Sequence, residues 1–193
     1  MRDPLPRDLA PRSPAMRLIE ESLRFGRKGF ARIVELTPSR LNFSWITEQL
    51  AVGGVIPPRH YWRLRQRGIG AVVDCRAEDC DDEHALRSHG IELLHLPAPD
   101  TREIDQASID RGVVWVAERI ERNVSVYVHC LHGVGRGPLL GCCVLIAAGH
   151  TPSEALRRIK TGRWQASPNE EQLRAVWTWA ERRSLQAPSS DSS

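Results

Sequence analysis

The sequence lacks any apolar run long enough to cross a membrane. Its longest such run, residues 138–149, is shorter than the ~20 residues that a membrane-spanning helix needs. The N-terminus also lacks the continuous apolar segment of a secretory signal peptide. The five cysteines are odd in number, and none forms a zinc-type C-x2-C pair with a second half. We therefore expect a soluble protein in a reducing, cytoplasmic setting.

A strong charge of one sign is missing as well. The net charge is +3 over 193 residues, and residues 1–43 hold nine Lys and Arg against five Asp and Glu. Because only this N-terminal part is basic, the composition gives no argument for a nucleic-acid partner. His84, His89, His95 and His150 are scattered without metal-ligand spacing. We expect no nucleic-acid partner, no metal and no cofactor.

The length and a hydrophobic content of 41% suit a single domain with short appendages. Residues 1–15 are rich in Pro and Arg, and we expect a disordered arm there. Residues 16–40 form a basic and helix-like extension, for which we favour packing on the domain over contact with a membrane surface. The compact domain is predicted over residues 41–184, and a polar, disordered tail over 185–193.

Within the predicted domain, β-favouring runs alternate with helical patterns. This alternation predicts an α/β fold with a central, mainly parallel sheet flanked by helices. Asp105 is well placed to cap one of these helices. Two later helices are predicted by capping boxes with proline at the first helical position, Thr151 to Glu154 and Ser167 to Glu170.

The stretch with the clearest chemistry is VYVHCLHGVGRG, residues 126–137. β-favouring residues lead into Cys130, and a loop with two glycines then closes on Arg136, where an apolar helical pattern begins. Gly133 and Gly135 permit the backbone conformations that turn successive N–H groups towards an anion, and the helix N-terminus adds partial positive charge. A cysteine in such surroundings is expected to be a thiolate. The loop therefore predicts a phosphate-binding active site.

The run from Val128 to Arg136 resembles the V-H-C-x-x-G-x-x-R signature of the cysteine-based protein tyrosine phosphatases. Over residues 43–182 the chain is similar to their compact, atypical dual-specificity branch. The resemblance implies the protein tyrosine phosphatase fold, with Cys130 as nucleophile and Arg136 as phosphate clamp. It also implies that His129 supports the cysteine and that the backbone amides of residues 131–136 bind the phosphate. The implied substrate-binding residues are His129, Leu131, His132, Gly133, Val134, Gly135 and Arg136.

The family takes its general acid from a loop upstream of the cysteine, and APDTREID matches that pattern at Asp100. Such an acid protonates the leaving oxygen and later activates water. Three other aspartates have simpler explanations: Asp105 as a helix cap, Asp110 inside a helix and Asp74 at the end of a buried strand. The alternative for Asp100 is an ordinary polar loop residue.

Two further similarities concern individual cysteine and helix-start positions. VVDCRAED resembles the tensin-type phosphatases, in which a cysteine after the corresponding strand can form a disulfide with the catalytic thiol. The resemblance implies that Cys75 is a redox partner of Cys130, and the alternative is a buried strand-end cysteine. Asn169 and Gln172 resemble a family position near the active-site floor. The alternative is that they only stabilise the start of a helix.

Gly137 departs from the family, which commonly has Ser or Thr at this position. That hydroxyl ordinarily donates a hydrogen bond to the sulfur, so its absence predicts slower breakdown of a phosphocysteine intermediate. The loop interior carries no lysine, which disfavours a polyanionic inositol lipid as substrate. Our leading interpretation is a phosphomonoester hydrolase that acts through phosphocysteine on phosphotyrosine, phosphoserine or phosphothreonine of proteins. The alternatives are a phosphatase of lipids or other small phosphomonoesters, and a low-activity phosphate-binding pseudophosphatase.

Overall fold

The computed structural model describes residues 41–186 of the chain. The predicted arm at 1–15 and the extension at 16–40 lie outside the described residues, as does the tail from residue 187 onward. Among the helices of the described part, none is both long and apolar enough to cross a membrane.

The described residues form five strands, a short 3-10 helix at Pro58–His60 and six α-helices. The strands are β1 (Phe43–Trp45), β2 (Leu50–Gly53), β3 (Ile69–Arg76), β4 (Glu92–Ala98) and β5 (Ser125–His129). The helices are α1 (Tyr61–Gln66), α2 (Glu83–Ser88), α3 (Gln106–Glu121), α4 (Arg136–Ala147), α5 (Pro152–Gly162) and α6 (Glu170–Gln186).

The strands make one sheet in the order β1-β2-β5-β3-β4. Only the β1–β2 hairpin is antiparallel, and the other three pairings are parallel. β5 lies in the middle, with Val128 opposite Val52 of β2 and Val73 of β3. The prediction of a mainly parallel sheet flanked by helices is confirmed. Because β5 is the central strand, its carboxyl end lies in the middle of the row of strand ends.

Successive residues of β5 pack into two separate cores, as the period of two in a strand requires. Val126 and Val128 belong to a large cluster with buried residues of α3, α4, α5 and α6. Tyr127 belongs to a smaller cluster on the opposite face, with buried residues of α1 and α2. A strand buried on both faces is rigid, so the loop that follows it has a fixed starting point.

The two helix caps expected at Asp105 and Thr151 are both present. The Asp105 carboxylate accepts a hydrogen bond from the Ser108 N–H at 2.9 Å. The Thr151 hydroxyl accepts from the Glu154 N–H, while Glu154 Oε2 accepts from the Thr151 N–H at 2.9 Å, which completes the capping box.

The second predicted capping box is wrong by two residues. α6 begins at Glu170, and its cap is Asn169, whose Oδ1 accepts the Gln172 N–H at 2.9 Å. Gln172 Oε1 in turn accepts the Asn169 N–H at 3.1 Å. Ser167 stays outside the helix because its N–H is bonded to the carbonyl of Val134. At its other end α6 reaches residue 186, two residues beyond the predicted domain limit of 184.

Candidate active site

The loop of residues 130–135 joins β5 to α4 at the carboxyl edge of the sheet, where α/β folds commonly bind ligands. The Cys130 side chain is buried at the base of this loop, and its residue is 3% exposed. Its Sγ accepts a hydrogen bond from the Gly133 N–H at 3.3 Å. α4 starts after Gly135 without a side-chain cap, so its first N–H groups face the loop as an uncapped positive helix end.

Four consecutive carbonyl groups of the loop are bonded to the protein that surrounds it. The donors are Val55 N–H to Leu131 (3.1 Å), Arg163 Nη2 to His132 (2.8 Å), Arg163 Nε to Gly133 (2.6 Å) and Ser167 N–H to Val134 (2.9 Å). The described chain has no cis peptide bond. In a trans peptide the N–H points opposite to the C=O, so the N–H groups that follow these carbonyls face inward. This is the geometry of an anion nest.

The glycines of the loop have distinct structural roles. Gly133 has a φ of +67°, and a Cβ there would lie 2.3 Å from the Gly53 carbonyl, so the position accepts glycine alone. A Cβ at Gly135 would meet the Gln172 side-chain amide at 2.5 Å. At Gly137 the nearest atoms to a Cβ are at 3.5 Å, in the backbone of β5. Position 137 therefore has room for a small side chain.

Arg136 is held by a carboxylate fork. It is 1% exposed, and its Nη1 and Nη2 each donate to one oxygen of Glu78 at 2.8 Å. Nη1 also donates to the Ala98 carbonyl at 2.7 Å. Burial alone would lower the pKa of Arg136, but Glu78 and the other nearby negative charges raise it. Within residues 41–186 nothing accepts a bond from Nε, so that edge of the guanidinium can take a phosphate oxygen.

Asp100 lies in the loop between β4 and α3, and its Oδ1 is 3.0 Å from Arg136 Nη2. The structure thus brings the candidate acid into contact with the candidate clamp. The same loop is bound to the start of α6, since Asn169 Nδ2 donates to the Thr101 carbonyl at 2.6 Å. Gln172 Nε2 donates to the Arg102 carbonyl at 3.0 Å. Asn169 and Gln172 therefore cap α6 and hold the Asp100 loop at the same time.

His129 ends β5 and belongs to a buried chain of charges below the loop. Its Nε2 is 2.9 Å from Asp81 Oδ2, and Asp81 Oδ1 accepts from Arg76 Nη2 at 2.7 Å. Burial alone would lower the pKa of His129, but the Asp81 carboxylate raises it. Burial alone would raise the pKa of Asp81, but His129 and Arg76 lower it. The contact with Asp81 therefore favours the protonated form of His129, the residue before Cys130.

Cys75 lies beside Cys130 at the ends of neighbouring strands. Asp74 of β3 is opposite His129 of β5, so Cys75 and Cys130 are the next residues in register. Both are free thiols in the same buried cluster. Burial raises the pKa of Cys75, and the charges of Cys130 and Asp74 raise it further. Cys75 is therefore a neutral thiol.

Two groups of three side chains within residues 41–186 have ligand atoms close enough together to hold a metal ion. They are Asp74 with Cys80 and His95, and Asp74 with Asp81 and His129. Both groups need Asp74, whose oxygens already accept bonds from Arg76 and from the Asp81 N–H. A guanidinium at the same carboxylate opposes a second cation, so we assign neither group to a metal.

Sequence reasoning missed three residues that shape this site. Glu78 and Asp81 lie in the acidic loop after β3, and the only signal for them is that this loop follows a strand at the same sheet edge as Cys130. Arg163 follows α5 and reaches the loop from a distance of 30 residues along the chain. No local pattern in the sequence distinguishes this arginine from the others.

A parallel sheet whose central strand runs into a cysteine, a loop with inward N–H groups and a buried arginine defines a phosphatase domain of the cysteine-based class. A family model described as "Tc-R-P: Polymorphic toxin system, DSP-PTPase phosphatase" matches residues 55–150. The chain belongs to the cysteine-based protein tyrosine phosphatase superfamily, in its atypical dual-specificity branch.

Several solved structures share this fold. Tk-PTP in its active form is 25% identical, with a TM-score of 0.68 over 73% of this chain and 97% of that chain. PTPMT1 in complex with PI(5)P is 21% identical, with a TM-score of 0.72 over 76% of this chain and 99% of its own. Human DUSP28 is 18% identical, with a TM-score of 0.67 over 78% and 99% of the two chains. The comparison with curated proteins gives no match.

Proposed function

We propose that this protein is a phosphomonoester hydrolase that works through a phosphocysteine intermediate. Cys130 is the nucleophile, Arg136 the phosphate clamp and Asp100 the general acid. The observation that carries the proposal is the set of four loop carbonyls bonded outward, which turns the following N–H groups to the inside of the loop, where the Gly133 N–H bonds Cys130 Sγ. Such donors match the equatorial oxygens of a transferring phosphoryl group.

In the first step the Cys130 thiolate attacks phosphorus, and the bond from phosphorus to the ester oxygen breaks. Asp100 gives its proton to that oxygen, so the alcohol or phenol leaves neutral. In the second step the Asp100 carboxylate takes a proton from water, which attacks phosphorus and breaks the S–P bond. Inorganic phosphate leaves, and Cys130 is again a thiolate.

Positive charge around the sulfur supports the thiolate. The uncapped start of α4 points at the loop, and the Arg136 guanidinium adds a positive charge where the loop ends. The Asp81 carboxylate raises the pKa of His129 against the effect of burial, which favours the protonated imidazole next to Cys130. The same charges attract a phosphate dianion, so nucleophile and substrate are favoured together.

We propose phosphotyrosine, phosphoserine or phosphothreonine of proteins as the substrate class. The side chains of the loop are Leu131, His132 and Val134, and Val134 is 37% exposed. An apolar group at the rim suits the organic part of an ester better than a second phosphate, which would need basic side chains.

Hydrolysis of p-nitrophenyl phosphate tests the proposal. We expect turnover by the wild type, none by Cys130→Ser, and unchanged turnover by the control Cys80→Ser, whose cysteine is exposed. Equilibrium binding of inorganic phosphate without turnover would instead make the protein a pseudophosphatase. Phosphopeptides and vesicles that carry PI(5)P then separate the substrate classes, since the proposal requires faster hydrolysis of the peptides.

We also propose reversible oxidation of this site in a reducing, cytoplasmic setting. A peroxide would oxidise the Cys130 thiolate to a sulfenic acid and be reduced to hydroxide. The Cys75 thiol would then attack that sulfur, form a Cys75–Cys130 disulfide and release water. Neighbouring parallel strands lie about 4.8 Å apart, which is within the Cα separation that disulfides need. A cellular thiol restores both cysteines by exchange.

A further inference from the structure

Arg163 is a second buried arginine at the phosphate loop. It follows the last residue of α5 and is 2% exposed. Its Nε donates to the Gly133 carbonyl at 2.6 Å, and its Nη2 donates to the His132 carbonyl at 2.8 Å and to Asn42 Oδ1 at 2.6 Å. All of these acceptors are neutral oxygens.

This guanidinium has no carboxylate partner among residues 41–186. The ionisable groups that act on it are Tyr127 and Cys130. Burial raises the pKa of Tyr127 well above its ordinary value, so that residue is a neutral phenol. Arginine stays protonated in proteins. Among residues 41–186, a Cys130 thiolate is therefore the group that can balance the charge of Arg163, and a bound phosphate would do the same.

The peptide group between His132 and Gly133 connects this charge to the sulfur. Its oxygen accepts from Arg163, and its N–H donates to Cys130 Sγ at 3.3 Å. A cation at the oxygen polarises the peptide and makes its N–H a stronger donor. The next peptide has its oxygen on Arg163 Nε, so its N–H, on Val134, faces the inside of the loop.

We propose that Arg163 is a positioning residue that provides, through these two peptide groups, the counter-charge for the Cys130 thiolate and for the bound phosphate dianion. The inference rests on the proposed function of Cys130. It assigns Arg163 a different part from Arg136, which meets the phosphate directly and has its own carboxylate partners.

Several ionisable groups surround the sulfur, and a test has to separate Arg163 from them. The strands β3 and β5 contribute Asp74, Cys75, Tyr127 and His129. The start of α4 contributes Arg136, and the loops after β3 and β4 contribute Glu78, Asp81 and Asp100. All of these residues remain present in a variant that is changed only at position 163.

The test compares Arg163→Met and Arg163→Gln, which are neutral, with Arg163→Lys, which keeps the charge. Arg158→Met is the matched control, because Arg158 is an exposed arginine on α5. The rate of Cys130 alkylation by iodoacetamide is measured against pH, together with inhibition by inorganic phosphate. We expect the midpoint of the alkylation profile to rise by about 1 pH unit in the neutral variants, with roughly tenfold weaker phosphate inhibition. The Lys variant keeps the charge but can bond only one of the two carbonyls, so its midpoint should also rise, by less than in the neutral variants.

Thermal unfolding shows which variants are folded. A folded neutral variant with the wild-type alkylation midpoint and phosphate inhibition overturns the inference. Should neither neutral variant fold, Arg163→Lys decides, because a single ammonium cannot bond both carbonyls as the guanidinium does. A wild-type midpoint in that variant overturns the inference as well. An ordinary, alkaline midpoint in the wild type itself contradicts the proposed function of Cys130, which is a separate result.

Discussion

Arg136 Nη2 and Asp100 Oδ1 lie 3.0 Å apart, so the residue that would hold the phosphate also holds the residue that would protonate the leaving group. A phosphate on the Nε–Nη2 edge of Arg136 would meet Asp100 at the same nitrogen. In the proposed mechanism this contact would hold the acid beside the bound phosphate.

We expect Asp100→Asn to lower kcat/KM for phenyl phosphate by roughly 100-fold, because the amide has no proton to give. The loss should be smaller for p-nitrophenyl phosphate, whose leaving group needs less protonation. Steady-state kinetics on both esters measures the difference. Asp105→Asn is the control, since asparagine also caps helices and Asp105 serves only as a cap. Equal losses on the two esters would remove Asp100 from the role of acid.

The fork between Arg136 and Glu78 fixes the plane of the guanidinium. Glu78→Gln keeps one of the two bonds and loses the charge, and we expect kcat to fall about tenfold. The effect on KM should be small, because in-plane orientation matters most when the equatorial oxygens are bound in the transition state. Asp79→Asn is the neighbouring control, with an Asp79 side chain that is 68% exposed. An unchanged kcat in Glu78→Gln would contradict this reading.

Position 137 offers a gain-of-function test. A Cβ there meets its nearest atoms at 3.5 Å, so serine fits without displacing the backbone. We expect the wild type to show a burst of p-nitrophenol followed by a slow steady state, because phosphocysteine accumulates. Gly137→Ser should raise the steady-state rate about tenfold by one hydrogen bond to the departing sulfur, and the burst should shrink. Rapid-quench kinetics measures both phases.

Gly137→Ala is the matched control for that experiment, since it adds the Cβ without the hydroxyl. It should keep the burst of the wild type. A wild type without any burst, and with no gain in the serine variant, would mean that another donor already serves the sulfur.

The ion pair of His129 and Asp81 gives stability a specific pH dependence. The pKa of His129 is raised above its ordinary 6.5, so its contribution is complete below pH 6.5 and is lost as pH rises through the raised value. The pKa of Asp81 is lowered from 3.8, so its contribution persists above pH 3.8 and is lost only in stronger acid. The pair therefore stabilises the fold most between those two limits.

We expect Asp81→Asn to lower the free energy of unfolding by about 3 kcal/mol at pH 6, because it leaves a buried imidazolium without a carboxylate. The deficit should become smaller as the pH rises and His129 loses its proton. Urea unfolding at pH 6, 7.5 and 9 measures it, with Asp82→Asn, which keeps a helix cap, as control. A deficit that grows with pH would contradict the assignment.

Oxidation of the site is tested by peptide mapping after mild peroxide. We expect a Cys75–Cys130 disulfide and activity that dithiothreitol restores. In Cys75→Ser the sulfenic acid lacks its partner, so Cys130 should proceed to irreversible oxidation and activity should not return. Cys80→Ser, in the loop after the same strand, should recover as the wild type does. Oxidised Cys130 that is never linked to Cys75 would end the idea.

Much of the fold follows from local patterns. The cap at Asp105 and the box at Thr151 each join residues three positions apart, and the alternation of strands and helices follows from the apolar pattern of each segment. The box at Ser167 fails because Asn169 and Gln172 fit the same pattern two residues later. The choice between them is made by tertiary contacts: Ser167 bonds the phosphate loop, and Gln172 packs on Gly135.

The candidate site also combines residues that a local pattern predicts with residues that only the tertiary structure brings to it. Cys130, its loop and Arg136 form one contiguous segment with a recognisable pattern, and Asp100 follows from its place in a matching loop. Arg163, Glu78 and Asp81 reach the segment from 30 to 58 residues away, and charged residues of these types are common along the chain. Their roles depend on which strands are neighbours in the sheet, and no local sequence pattern predicts that.

The outward bonds of the phosphate loop come from Asn42, Val55, Arg163 and Ser167, none of which lies in the segment from β5 to α4. An excised peptide of that segment would contain Cys130, the loop amides and Arg136, yet we expect it not to bind phosphate, because its carbonyls would turn freely in water. Under the proposed function, affinity for phosphate is therefore coupled to the cooperative folding of the whole domain. Adding inorganic phosphate should raise the melting temperature, so a simple thermal-shift titration can survey ligands before any substrate is known.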